Sequence, residues 1–341
     1  MGGAPELPSG LATQPAELPP AEVGAAVDMA LRGRSLPTVP VPSDPAYSLL
    51  ARVVTAFEGV HVLPNAQLRV DPATFGVRPD EAESTAAEGF APLRETLRRW
   101  PEQRRSGGVV GLRVELAGPV TLALALVRGG LDHARSLDAA RTVSAFRAEA
   151  VLAAVRAVEP DRCVAVVMSE PGLCGSMHPT FPLTTRQVRS LLDPVVDVLD
   201  RAAGGSPVLI GIHVPGSADW RTVISSGVSM VSLRPEASIV GWAPQLATLL
   251  DNGGYVAWGA VPVDRPLGTN EELLWRHLAR TWRDLEAAGV DRPLLVRRSL
   301  VGPSDGLARF GAEQVPGIMA LADALAGRIR ALVEPPSATA G

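Results

Sequence analysis

At 341 residues, with a formal net charge of −4, 46% hydrophobic and 20% charged residues, the chain has the composition of a soluble globular enzyme, and no basic excess to draw nucleic acid or an anionic membrane. All 32 cationic side chains are arginine, which excludes a Schiff-base lysine, a lysine-anchored pyridoxal phosphate and a Walker-type phosphate loop. Two cysteines, Cys163 and Cys174, are too few for a disulfide framework and suit a reducing cytosol.

The opening residues MGGAPELPSG lack the basic segment and apolar core of an export signal, and Glu6 stands where a myristoylation motif needs serine or threonine. Runs such as LAGPVTLALALV are too short to span a bilayer. The expected location is the cytoplasm, with no membrane partner. Residues 1–8 and 333–341 are small, proline-rich and polar and are expected to fray, leaving 9–332 as one folded unit.

Along that unit, strand-like runs alternate with amphipathic helical segments, the pattern of parallel βα units. A first strand is expected near Ser9 to Thr13, followed by a helix from Ala21 to Leu31. The second strand is GVHVLP, Gly59 to Pro64, after the helical DPAYSLLARVVTAFE. The stretch RVDPATFGVRPDEAESTAAEG reads as an extended loop leading into a helix. VVGLRVELAGP, Val109 to Pro119, is the third strand and precedes the helix DAARTVSAFRAEAVLAAVRAV. CVAVVMSEP, Cys163 to Pro171, is the fourth, before a helix with Thr184 and Thr185 as N-cap candidates. The fifth is in VLIGIHVPGSADWRT, Val208 to Thr222, whose apolar run ends on His213; VSMVSL, GYVAWGAVP and RPLLVRRSLVGP are the sixth to eighth, and a helix from Glu313 to Leu332 closes the chain.

Eight such units predict an α/β fold, a single (β/α)8 TIM barrel, in which reactive groups collect at the carboxyl ends of the strands. Glu115, Ser169, Glu170, His213, Pro262, Ser304 and Asp305 then converge on one mouth. An open doubly wound sheet is the alternative, but no G-x-G-x-x-G fingerprint follows the first strand.

Five segments in order, LAGPVTLALAL, VVMSEPGL, GIHVPGSADW, GGYVAWGAVPV and RRSLVGPSDGLA, resemble the barrel domain of cobalamin-independent methionine synthases and their uroporphyrinogen-decarboxylase-like relatives. The resemblance covers most of the chain, from about Ser9 to about Leu332. It implies methyl transfer to a thiol such as homocysteine, at a zinc ion bound by a His-x-Cys pair and a further cysteine, which holds the thiol as thiolate. Here His213 is kept, but Pro215 stands where the pair's cysteine belongs and Asp305 where the "PxCG" cysteine belongs. Ser169 replaces the aspartate of the family's "DEPAL", and Ala12 and Thr13 replace the glycine and serine of its "IGSxP" turn. Proline has no ligating side chain and a carboxylate is a hard donor, so the family's zinc-thiolate set is broken.

Two outcomes follow. Cys174 and His178, in PGLCGSMHP, could rebuild a zinc site with His213 and Asp305, or no metal is bound. Against the rebuilt site stands a Cys174 that packs as a small hydrophobe and a His178 in a proline-rich loop. Glu170, His213 and Asp305 are the catalytic candidates, and Glu115, Ser169, Thr13 and Asp219 the substrate-binding ones. Glu115, in an apolar strand, needs an arginine or hydrogen-bond donor as partner, and Asp219 equally reads as a helix cap with Trp220 packed beneath it. His61, His133 and His277 read as surface or packing residues, and RETLRRWPEQRR as a solvated face. The chain has room for one barrel, whereas the resemblance implies a second barrel that helps bind folate in that family, so this chain is expected to work without it. The resemblance therefore implies a small-molecule substrate and a methyl donor carried by folate or by a corrinoid protein. A catalytically silent barrel that binds a ligand or a protein, and a metal-free decarboxylase, are the competing readings; the latter's "RQAGR" signature has no counterpart in the chain.

Overall fold

The computed structural model describes residues 5–44, 47–78, 90–105, 107–264 and 270–333. Its strands are β1 (Leu11–Ala12), β2 (Glu17–Leu18), β3 (Val41–Pro42), β4 (Phe57–Glu58), β5 (Val60–Val62), β6 (Leu68–Val70), β7 (Gly76–Val77), β8 (Gly111–Ala117), β9 (Cys163–Ser169), β10 (Val208–His213), β11 (Met230–Leu233), β12 (Tyr255–Val261) and β13 (Ser299–Pro303). Seven of them form one curled, all-parallel sheet in the order β1-β13-β12-β11-β10-β9-β8. Strands adjacent in the chain are adjacent in the sheet, and the first returns to pair with the last. Both faces of the sheet are covered, so its strands are runs of valine, leucine and isoleucine and not alternating apolar and polar residues.

Alternation along each strand divides the core in two. Val164, Val166 and Met168 of β9, with Ile210 and Ile212 of β10, belong to the large cluster packed with the helices. Cys163, Ala165 and Val167 face the other way, into a smaller cluster with Leu11, Leu209, Met230, Tyr255 and Leu300. Leu7 joins this cluster and its N–H donates to the Tyr255 hydroxyl at 2.7 Å.

The second expected strand is misplaced. Val60–Val62 lies outside the seven-stranded sheet and forms an antiparallel hairpin with β6, its turn carrying Ala66 at φ 60°. The free edge of β8 is instead met by residues 35–39: Val110 N donates to Ser35 O, Arg113 N to Pro37 O and Val39 N to Arg113 O, each at 2.8 Å. Val41 then pairs on its other side with Glu17, in β2. Prolines 37, 40 and 42 remove three N–H donors from this stretch, which hides it from any strand pattern.

The eighth expected strand is shorter than read. Arg292–Arg297 is helical, with Asp291 accepting from Leu294 N at 2.7 Å, and only Ser299–Pro303 is strand. After β8, a helix over Pro119–Arg128 begins at once, with Pro119 at its first position, before the expected long helix, His133–Val158. The helix Thr185–Ala203 starts at Thr184, one of the two expected N-caps, which forms a reciprocal capping box with Gln187. In the arginine-rich helix Ala91–Arg105, Arg98 and Arg99 pair with Glu95, while the buried Trp100 donates to Glu159 at 3.1 Å. The expected loop before that helix lies partly outside the described residues, as does the C-terminal tail after residue 333. No described helix is long and apolar enough to cross a membrane.

Candidate ligand site at the strand ends

Register carries polar side chains to one rim. Ser169 at the end of β9 is level with His213 of β10, and His213 with Ser232 of β11. The 12%-exposed His213 ring places Nδ1 2.9 Å from Ser232 Oγ and Nε2 3.7 Å from Asp305 Oδ1. Asp305 follows β13, and its carboxylate also accepts from Gly306 N at 2.8 Å. Burial pushes the Asp305 carboxyl up, but the His213 ring, the Gly306 N–H and the Arg234 guanidinium together hold it below the ordinary aspartate range.

Arg113 and Glu115, two residues apart on β8, share a face and form a buried ion pair. Glu115 thus finds the arginine partner its strand requires. The i, i+2 spacing of Arg113 was the signal that could have named that partner in advance. Glu17 is a rim residue that no local motif marks. Burial, Glu115 and Asp305 raise its carboxyl above the usual value, while His213 and Arg309 pull against them. The free space enclosed by Thr13, Glu115, His213, Ser232, Trp258 and Asp305 is about 10 Å³. That is room for about one water.

The fold resembles that of B12-independent methionine synthases. A B12-independent methionine synthase from Shewanella sp. W3-18-1, in complex with selenomethionine, is 15% identical over 97% of this chain and 97% of its own, with a TM-score of 0.52. A protein named as a vitamin-B12-independent methionine synthase from Listeria monocytogenes is 12% identical over 92% of this chain and 86% of its own, at 0.53. No protein-family model matches the chain, and no curated protein matches it significantly.

The four residues considered for a rebuilt methionine-synthase zinc site divide between two places. His213 and Asp305 meet at the rim. Cys174 and His178 line a cleft of about 850 Å³ with Leu68, Thr121, Leu124 and Phe181, where His178 Nδ1 lies 2.8 Å from Thr180 Oγ1. Among the described residues, no three His, Cys, Asp or Glu side chains are grouped to hold a metal ion. The residues present do not fit the group. The roomy cleft and the polar rim are therefore lined by different residues, although Cys174, whose sulfur packs on Gly216, is near enough to the rim to feel Asp305 and Arg234.

Cys174 is exposed, but partial burial of its thiol pushes it up, with Asp305 adding to it against the Gly216 N–H and Arg234, so the thiol stays protonated at neutral pH. Alkylation of Cys174 by iodoacetamide at pH 7 is expected to be slower than that of a free cysteine, and that of the buried Cys163, pushed up to about 12, slower still. Peptide mass spectrometry over a time course checks both; fast labelling of Cys174 would show an activated thiolate.

Two further candidates are engaged in helix caps. Asp219 accepts from Thr222 N at 3.3 Å and Thr222 Oγ1 at 2.6 Å at the start of Trp220–Ile224, with Trp220 buried beneath it. Glu170, with no exposed surface, accepts from Val120 N at 2.9 Å, Thr121 N at 2.7 Å and Thr121 Oγ1 at 2.6 Å, and so caps the helix Pro119–Arg128. Gly118 lets it approach, since a Cβ there would lie 2.1 Å from the Glu170 carboxyl carbon.

Proposed function

We propose that this chain is a methionine-synthase-like (β/α)8 barrel, its ring completed by residues 35–42 as the eighth strand, that binds a small amino-acid-like or thiol-bearing ligand above the strand ends without a zinc-thiolate centre. The observation that carries the reading is the meeting of His213, at the end of β10, and Asp305, in the loop after β13, at 3.7 Å. Beside them Glu17 adds a third polar group whose carboxyl is raised first by burial and then by its acidic neighbours Glu115 and Asp305. A rim of this kind suits an ammonium group, which would relieve the repulsion among Glu17, Glu115 and Asp305. Thr13, Ser169 and Glu115 would form the wall beneath the ligand, which sits above the ring because the ring is filled.

Methyl transfer to a thiol such as homocysteine, from a folate or corrinoid carrier, is the activity this reading inherits from the resemblance. A catalytically silent barrel is the second reading, favoured by the helix-capping roles of Glu170 and Asp219 and by the 10 Å³ left around His213. Titration calorimetry with homocysteine, cysteine and methionine tests the binding. Saturable binding of at least one is expected, weakened about tenfold or more in His213→Ala and Asp305→Asn; no binding of any would end the proposal. Protein from zinc-replete growth is expected to hold far less than one zinc per chain. Stoichiometric zinc, lost in His213→Ala, would overturn the zinc-free part. Binding without methyl transfer from either donor selects the silent barrel.

A further inference from the structure

Away from the rim, two arginines are buried without a carboxylate. Arg52, 7% exposed, donates from Nη1 to the carbonyl oxygen of Glu115 at 3.2 Å and lies with its Cζ 3.4 Å from the centroid of the Phe90 ring. Its Nε and Nη2 have no hydrogen-bond partner. Arg147, 3% exposed on the helix His133–Val158, has an unpartnered Nη1, and so does the hydroxyl of Ser144 one turn before it. All three residues line a cavity of about 10 Å³, walled by Leu49, Val53, Leu116 and Ala117. Among the described carboxylates none forms an ion pair with either guanidinium; the Glu115 carboxylate, whose charge acts on Arg52, is held by Arg113.

A guanidinium does not shed its proton in a protein, and an unpaired buried charge is strongly unfavourable. Burial pushes both arginines down, and Arg147 pushes Arg52 down further. A water in the cavity would satisfy hydrogen bonds but could not balance two positive charges. We propose that this cavity is a binding site for a small inorganic anion of halide size, held by Arg52 Nε and Nη2, Arg147 Nη1 and the Ser144 hydroxyl. Space for about one water-sized sphere excludes phosphate, sulfate and organic carboxylates. A bound halide would join the long helix to the residue that grips the carbonyl of Glu115, and so support the strand that carries the Arg113–Glu115 pair.

The test uses the full chain in sodium gluconate at constant ionic strength, so that general screening does not change as chloride or bromide replaces gluconate. A saturable rise in Tm is expected with either halide and not with sulfate, and crystals grown in bromide are expected to show an anomalous peak between Arg52, Arg147 and Ser144. Ser144→Ala, which leaves both arginines in place, is expected to raise the halide concentration at half-effect by about tenfold, the loss of one hydrogen bond to a charged acceptor. Arg147→Met is expected to abolish the response. An unchanged halide response in Ser144→Ala, the absence of a bromide peak in the cavity, or a saturable sulfate effect would overturn the proposal.

Discussion

Glu115→Ala is expected to destabilise the protein by about 3–5 kcal/mol, because it leaves the Arg113 guanidinium buried with no counter-charge. The side chains of Arg113 and Glu115 are 4% and 5% exposed, so solvent neither screens their attraction nor hydrates the survivor. The loss comes from the abandoned charge more than from the worth of the pair. Replacing both partners by apolar residues, as in Arg113→Met with Glu115→Leu, is therefore expected to be far milder, within about 1–2 kcal/mol of the parent and of either sign. Urea midpoints of the single and double variants decide it. A single variant as stable as the double would show that Arg113 has another counter-charge.

Glu170→Ala is expected to cost about 3 kcal/mol, since it removes a fully buried acceptor of three hydrogen bonds at a helix start and leaves a cavity beside Gly118. Its pH dependence has a definite sign. Burial pushes the Glu170 carboxyl from the usual 4.5 up to about 7, against the pull of the Thr121 hydroxyl and the N–H groups of Val120 and Thr121. Between these values the folded chain keeps a proton that the unfolded chain has lost. The stability this group contributes is thus full below about pH 4.5 and declines as pH rises to about 7. Glu170→Gln cannot ionise, so the stability of the parent relative to Glu170→Gln should fall across that window. A difference that is flat, or that grows with pH, would mean that the three donors outweigh burial and keep the carboxylate ionised.

The strands of the sheet differ in how visible they were in the sequence. β9, β10 and β12 are buried on both faces, so they read as continuous apolar runs and were placed almost to the residue. Residues 35–39, which meet the edge of β8, show no such pattern, because the prolines at 37, 40 and 42 erase both the donors and the propensity that mark a strand, while the GVHVLP run nearby has that propensity and pairs outside the sheet. Local polar chemistry was similarly legible: Asp219 as a cap, Thr184 as an N-cap and the solvated arginine helix follow from neighbours within four residues.

The rim itself needed more than local rules. Glu17, Ser232, Arg234 and Arg309 surround His213 and Asp305 from separate loops and strands, and none carries a motif. Glu170 shows the same limit from the other side, since its position at a strand end is equally compatible with facing a ligand and with turning under the next helix. Three backbone and hydroxyl donors settle it on the helix.

The sequence alone determined the alternation of apolar strands with capped helices, and with it a parallel α/β sheet whose chemistry gathers at one end, because those features depend on side-chain period and turn chemistry within a few residues. Only the tertiary structure decided which carboxylates stay at the rim, which are used to cap helices, and where arginines are buried unpaired. Those outcomes depend on distances between segments far apart in the chain, and electrostatics and desolvation act through space.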